Sequence, residues 1–105
     1  MSKITDKEKM IYISGSLEDV NTWYGAEEYI RSGNAHNKVP VINIVKALQG
    51  IGELSDSDLM EIRFLLLSKC NTIYMLKGWE TDLVARAEHE YAYARHYNII
   101  YSKKF

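Results

Sequence analysis

The sequence feature that most restricts the fold of this chain is a set of four short apolar runs. Each run is separated from the next by a stretch with helical periodicity. The runs lie at residues 10–14, 38–43, 71–76 and 98–101, with the sequences MIYIS, KVPVIN, NTIYML and NIIY. Between them, apolar residues recur every three or four positions over residues 19–32, 55–69 and 82–96, as on one face of a helix. Strands joined through helices pair in parallel, and helices then cover both faces of the sheet. The pattern predicts a three-layer α/β sandwich with a parallel sheet of four, or at most five, strands.

The chain of 105 residues has no internal repeat and no linker-like segment, so one domain over residues 1–105 is expected. Its 13 basic and 14 acidic residues nearly cancel, which argues against binding to nucleic-acid polymers or to anionic membranes. The charged N-terminus and the lack of a run of about 18 apolar residues predict a soluble, cytoplasmic protein. With one cysteine and no Cys/His metal-ligand spacing, neither a metal site nor a cofactor is expected.

Three small residues, Ser14, Gly15 and Ser16, follow the first predicted strand at its carboxyl end. Ligands of open parallel sheets bind at this edge, and small residues before a helix N-terminus let backbone N–H groups approach an anion or a sugar. The alternative is a tight turn that needs glycine for its backbone conformation. Tyr12 lies two residues before the turn, and its hydroxyl needs a partner if it is buried.

Glu88 is the most informative charged residue of the last predicted helix. Its neighbours three and four positions away are apolar: Val84, Tyr91 and Ala92. The side chain is therefore expected to face the sheet, where an unpaired carboxylate is costly. One interpretation is a carboxylate that attacks an anomeric carbon. The alternatives, which the spacing leaves open, are simple exposure or an ion pair with one of three arginines: Arg63, Arg86 or Arg95.

Gly78 and Trp79 follow the third predicted strand, so they are expected at the same edge of the sheet. Trp79 could stack on a base, or it could only anchor the loop. His89 lies on a different helix face from Glu88 and is expected on the solvent side or at an interface. The helix over residues 55–69 is expected to turn one apolar face to the core: Leu59, Ile62, Leu65 and Leu66.

Three segments together resemble a known family: IYISGS near the start, CNTIYMLKGWE in the middle and ARAEHEYAYARHYNIIY at the end. They are similar to the small nucleoside 2-deoxyribosyltransferase-like proteins, in particular to an uncharacterised and often phage-encoded branch, the DUF4406 type. The resemblance spans about residues 10–101 and implies a flavodoxin-like or Rossmann-like fold, a homodimer or higher homo-oligomer, and the host cytoplasm if the protein is phage-encoded. It also implies N-glycosidic cleavage or deoxyribosyl transfer on a 2′-deoxynucleoside or its 5′-monophosphate.

The resemblance assigns roles to individual residues. Glu88 matches the glutamate nucleophile, and Tyr12 matches the strand tyrosine that orients it. Gly15 and Ser16 match the loop that touches the sugar or the 5′-phosphate, and Asn43 falls where a related branch has an asparagine before proline. Together with the turn and loop positions above, the resemblance implies Glu88 and Tyr12 as catalytic residues. The expected substrate-binding residues are Ser14, Gly15, Ser16, Asn43, Gly78 and Trp79.

Four positions depart from the family pattern and count against activity: Arg63 and Asn71 replace aspartates, Val84 replaces a glycine, and Ile44 replaces a proline. Without the acid that handles the leaving base, Asp58, Glu61 or a residue of a partner chain would have to supply the proton. The competing hypothesis is a catalytically inactive nucleotide-binding or interaction protein on the same fold.

Overall fold

The computed structural model describes residues 10–32 and 39–105. Within them, four strands and four α-helices follow one another in this order: β1 Ile11–Ser14, α1 Val20–Ser32, β2 Val41–Ile42, α2 Ile44–Ala47, α3 Asp56–Ser68, β3 Thr72–Met75, α4 Leu83–Ala94 and β4 Asn98–Tyr101. A short 3₁₀ helix, Trp79–Thr81, precedes α4. The strands form one sheet in the order β2-β1-β3-β4, and every pair is parallel. The predicted three-layer α/β sandwich with four strands is confirmed.

The two central strands are buried along their whole length, whereas β2 and β4 at the edges are only partly buried. In the register, Tyr12 pairs with Ile73 and Ser14 pairs with Met75. Because alternate residues of a strand share a face, Tyr12 and Ser14 project to one side of the sheet. Right-handed crossovers put α3 and α4 on one face and α1 on the other.

The helix ends follow from local capping chemistry. The Ser55 hydroxyl accepts a hydrogen bond from the Asp58 N–H at the start of α3, and the Asp82 carboxylate accepts one from the Ala85 N–H at the start of α4. These side chains satisfy N–H groups that have no partner within the helix.

Some boundaries and faces differ from the sequence prediction. Regular pairing in the second strand covers only Val41–Ile42, and part of the predicted segment 38–43 lies outside the described residues. In α3, Leu65 is 59% exposed, so its predicted place on the buried face was wrong. Arg63 is buried instead, at 3% exposure. No described helix is long and apolar enough to span a bilayer.

Candidate functional site

Glu88 lies on the face of α4 that packs against the sheet, between the buried residues Ala85 and Ala92. Its side chain is completely buried. The inward orientation predicted from the apolar spacing is therefore observed. A carboxylate at this depth needs compensation for the loss of water, and the surrounding elements supply it.

Two hydroxyl groups of β1 bind the Glu88 carboxylate from the sheet side. The Tyr12 hydroxyl donates to Oε2 at 2.5 Å, and the Ser14 hydroxyl donates to Oε1 at 2.6 Å. Both side chains are fully buried. Because the two residues are two apart on one strand, each reaches one oxygen, and the carboxylate is held in a single orientation.

Arg63 of α3 completes the network with a bidentate ion pair. Its Nε donates to Glu88 Oε2 at 3.0 Å, and its Nη2 donates to Oε1 at 2.9 Å. Each carboxylate oxygen thus accepts one hydroxyl and one guanidinium hydrogen bond. Of the alternatives that the sequence left open for Glu88, the ion pair with Arg63 is the one observed.

The network raises the pKa of both Tyr12 and Arg63, but for different reasons. Burial raises the pKa of the Tyr12 phenol well above its ordinary value, and the negative charge of Glu88 raises it further. Burial alone would lower the pKa of the Arg63 guanidinium, but the charges of Glu88 and Tyr12 and the hydrogen bonds to both together outweigh burial, and the pKa is raised. Tyr12 is therefore a neutral donor and Arg63 a permanent cation.

A cavity of about 600 Å³ lies beyond this network, at the carboxyl end of β1 and the N-terminal ends of α3 and α4. Its lining combines apolar and charged side chains: Ser16, Leu17, Glu18, Asp56, Leu59, Met60, Arg63, Asp82, Leu83 and Val84. In the sheet, β1 lies between β2 and β3. The chain runs from β1 to β2 in one direction and then crosses back past β1 to β3, and the crevice at such a reversal is the usual ligand site. Arg63 belongs to both the cavity wall and the Glu88 ion pair.

The small-residue turn has a packing role that the sequence did not reveal. A Cβ atom on Gly15 would lie 2.8 Å from Cβ and from Cδ1 of Leu76, so a larger residue would overlap that side chain. The Ser16 carbonyl accepts from Trp23 Nε1 at 2.8 Å, and the Ser16 hydroxyl accepts from the Glu18 N–H at 3.2 Å. Of the three turn residues, only Ser16 lines the cavity.

Asn43 lies in a second polar cluster away from the cavity lining. Its side chain caps α2 by accepting from the Lys46 N–H, and it donates to the Trp23 carbonyl at 3.3 Å and to Glu27 Oε1 at 3.1 Å. Glu27 also pairs with Arg31 at 2.8 Å. These contacts join α1 to α2, so Asn43 has a structural role.

Gly78 and Trp79 line another cavity of about 450 Å³ together with His89 and Tyr101. The Trp79 ring stacks on the His89 ring with centroids 4.2 Å apart. His89 is only 8% exposed and one ring nitrogen lies 2.7 Å from the Tyr101 hydroxyl, so the expected position on the solvent side was wrong, and the alternative position at an interface stays a prediction. The structure therefore groups Tyr12, Ser14 and Glu88 in one network, but separates Trp79 and Asn43 from it.

The sequence alone did not establish that Arg63 belongs to the site. A usable signal was present, because Arg63 is four residues after Leu59 and four before Leu67, which puts it on the buried line of α3. Among the described residues, no group of three or more His, Cys, Asp or Glu side chains could hold a metal ion.

The comparisons with known proteins identify the family but no function. The family model described as a domain of unknown function (DUF4406) matches residues 9–101. No curated protein and no solved structure matches the chain significantly. Since the match covers most of the sequence, the chain belongs to the DUF4406 family, a domain of unknown function.

Proposed function

We propose that this protein is a nucleoside 2-deoxyribosyltransferase-like protein that binds a 2′-deoxynucleoside or its 5′-monophosphate without cleaving it. The cavity of about 600 Å³ supports the binding role, since it lies at the sheet edge where such folds bind ligands. Small-molecule sites commonly measure roughly 300–1,000 Å³. The observation that carries the proposal is the bidentate Arg63–Glu88 ion pair, in which the arginine lines the cavity and the glutamate does not.

The ion pair argues against cleavage because a nucleophilic carboxylate needs a free lone pair directed at C1′ of the sugar. Both oxygens of Glu88 accept two hydrogen bonds, and the side chain is completely buried behind Arg63. Breaking a buried ion pair costs about 3–5 kcal/mol, which slows attack by roughly two to four powers of ten.

A second candidate function is N-glycosidic cleavage or deoxyribosyl transfer with Glu88 as the nucleophile. Its support is the orientation of Glu88, because Tyr12 and Ser14 hold one oxygen each by hydrogen bonds of 2.5 and 2.6 Å. In this reaction Arg63 moves aside, a Glu88 oxygen bonds to C1′, and the C1′–N bond breaks as the base takes a proton. Water or another base then receives the sugar.

The proton donor in that reaction would differ from the one that the sequence suggested. The acidic residues that line the cavity are Glu18, Asp56 and Asp82, whereas Asp58 and Glu61 are not among its lining residues. Neither carboxyl group that the sequence suggested as the proton donor therefore lies at the cavity wall. This supports binding over cleavage.

Thermal unfolding with a panel of 2′-deoxynucleosides and their 5′-monophosphates tests the binding proposal. A ligand at about 100 times its Kd stabilises the folded state by about 2.7 kcal/mol, which raises the Tm of a domain of this size by roughly 10 °C or more. Val84→Phe should abolish that shift by filling the cavity. Ala87→Phe is the matched control, because Ala87 is exposed on the same helix and does not line this cavity.

Chromatography of the same mixtures separates the two candidate functions. Stabilisation without release of free base supports binding alone. Release of base that Glu88→Gln abolishes favours cleavage and refutes the first proposal. If no compound raises the Tm, or if both phenylalanine variants behave alike, the cavity is not the ligand site.

The resemblance also predicts a homodimer or a higher homo-oligomer. Light scattering coupled to size-exclusion chromatography measures the mass against the 12.2 kDa of one chain. A mass of one chain at micromolar concentration would contradict this prediction.

A further inference from the structure

We infer that the cavity selects unphosphorylated nucleosides over nucleoside 5′-monophosphates, an inference that rests on the binding function proposed above. Four charged side chains line the cavity, and three of them are carboxylates from different elements. Glu18 lies in the turn after β1, Asp56 begins α3, and Asp82 caps α4. The fourth is Arg63.

Arg63 does not offset the three carboxylates, because its charge is already balanced by Glu88. The two side chains are 3% and 0% exposed and their charged atoms lie 2.9 Å apart. Within residues 10–32 and 39–105, no ion pair involves Glu18, Asp56 or Asp82. The wall of the cavity therefore presents three acidic side chains to a ligand, and its one basic side chain is already paired.

Three backbone N–H groups near the cavity are already engaged by side chains of the protein, one in each of three segments. At the start of α4, the Ala85 N–H donates to Asp82 Oδ2 at 2.9 Å, and at the start of α3 the Asp58 N–H donates to the Ser55 hydroxyl at 3.0 Å. In the turn after β1, the Glu18 N–H donates to the Ser16 hydroxyl. Phosphate binding at helix N-termini uses N–H groups of this kind, and in each of these three segments a side chain of the protein occupies one of them.

The same wall suits an uncharged nucleoside. Carboxylates accept hydrogen bonds from sugar hydroxyls and from exocyclic amino groups. The guanidinium of Arg63 has five N–H donors, of which the ion pair with Glu88 uses two, so the others can reach carbonyl oxygens of a base. The apolar side chains, such as Leu59 and Met60, provide surface for the flat faces of a base.

Calorimetric titration with each of the four common 2′-deoxynucleosides and with its own 5′-monophosphate tests the inference. For the base that binds, the nucleoside should bind at least about tenfold more tightly than the monophosphate, and the ratio should shrink as salt screens the carboxylates. The double variant Glu18→Gln with Asp56→Asn should also reduce the ratio. Its control, Glu28→Gln with Glu53→Gln, removes two exposed carboxylates that do not line this cavity and should leave the ratio unchanged.

The outcomes separate this inference from the proposed function. Measurable binding of both compounds at similar affinity, or tighter binding of the monophosphate, overturns the inference and leaves the binding function intact. An unchanged ratio in the Glu18/Asp56 variant likewise overturns it, because the carboxylates would then not be the cause. If neither series binds, the proposed function fails and the inference fails with it.

Discussion

The buried ion pair between Arg63 and Glu88 allows a quantitative test of how the site is held together. Removing one partner leaves the other charge buried and unpaired, which costs about 3–5 kcal/mol. For a chain of this length the whole stability is about 5–15 kcal/mol. Arg63→Met, which keeps much of the side-chain volume, should therefore lower the Tm by roughly 12 °C or more. Glu88→Gln should cost a similar amount by leaving the guanidinium without its counter-charge.

The double variant, Arg63→Met with Glu88→Gln, is more informative than either single change. It removes both charges, while the amide oxygen of Gln can still accept a hydrogen bond from Tyr12 or Ser14. The stability lost in the double variant should thus be smaller than the sum of the two single losses. The difference is the coupling energy, which we expect to be about 3 kcal/mol.

Urea unfolding of the four proteins measures the coupling, provided that the slope m stays constant. Arg86→Met is the matched control, since Arg86 is exposed on α4 and surface changes of this kind usually stay within about 0.5 kcal/mol. If the loss of stability in the double variant equals the sum of the two single losses to within about 0.5 kcal/mol, the two residues are not coupled. A loss in Arg63→Met no larger than that in Arg86→Met would refute the reasoning directly.

Two further predictions concern the packing of the turn and the polar cluster of α1. Gly15→Ala should cost about 1–3 kcal/mol, because the new Cβ overlaps Leu76; urea unfolding that shows a loss below about 0.5 kcal/mol would contradict this packing argument. Burial alone would raise the pKa of Glu27, but hydrogen bonds and nearby cations hold it below the ordinary 4.5. Ionised Glu27 therefore stabilises the fold above about pH 4.5, and that stability is lost as the pH falls through the lower folded pKa. Glu27→Gln should flatten this acid dependence in urea unfolding at several pH values, and parallel curves for the two proteins would contradict the assignment.

The order of strands and helices could be read from the sequence, because each element carries its own period of apolar residues. The same reasoning predicted that Glu88 faces the sheet, since its neighbours three and four positions away are apolar and a helix has one buried face. The strand positions of Tyr12 and Ser14 also followed from the chain alone. Local pattern determines which way a side chain points within its own element.

Only the tertiary structure decided which partners those side chains meet. Glu88 lies 25 residues from Arg63 and 76 from Tyr12, and which of three arginines reaches it depends on how α3 and α4 rotate against each other. The reason for Gly15 is likewise a contact with Leu76 on the neighbouring strand end, which no local pattern records. Spacing along a chain reports orientation about one axis, whereas the distance between two elements is set by the packing of the whole core.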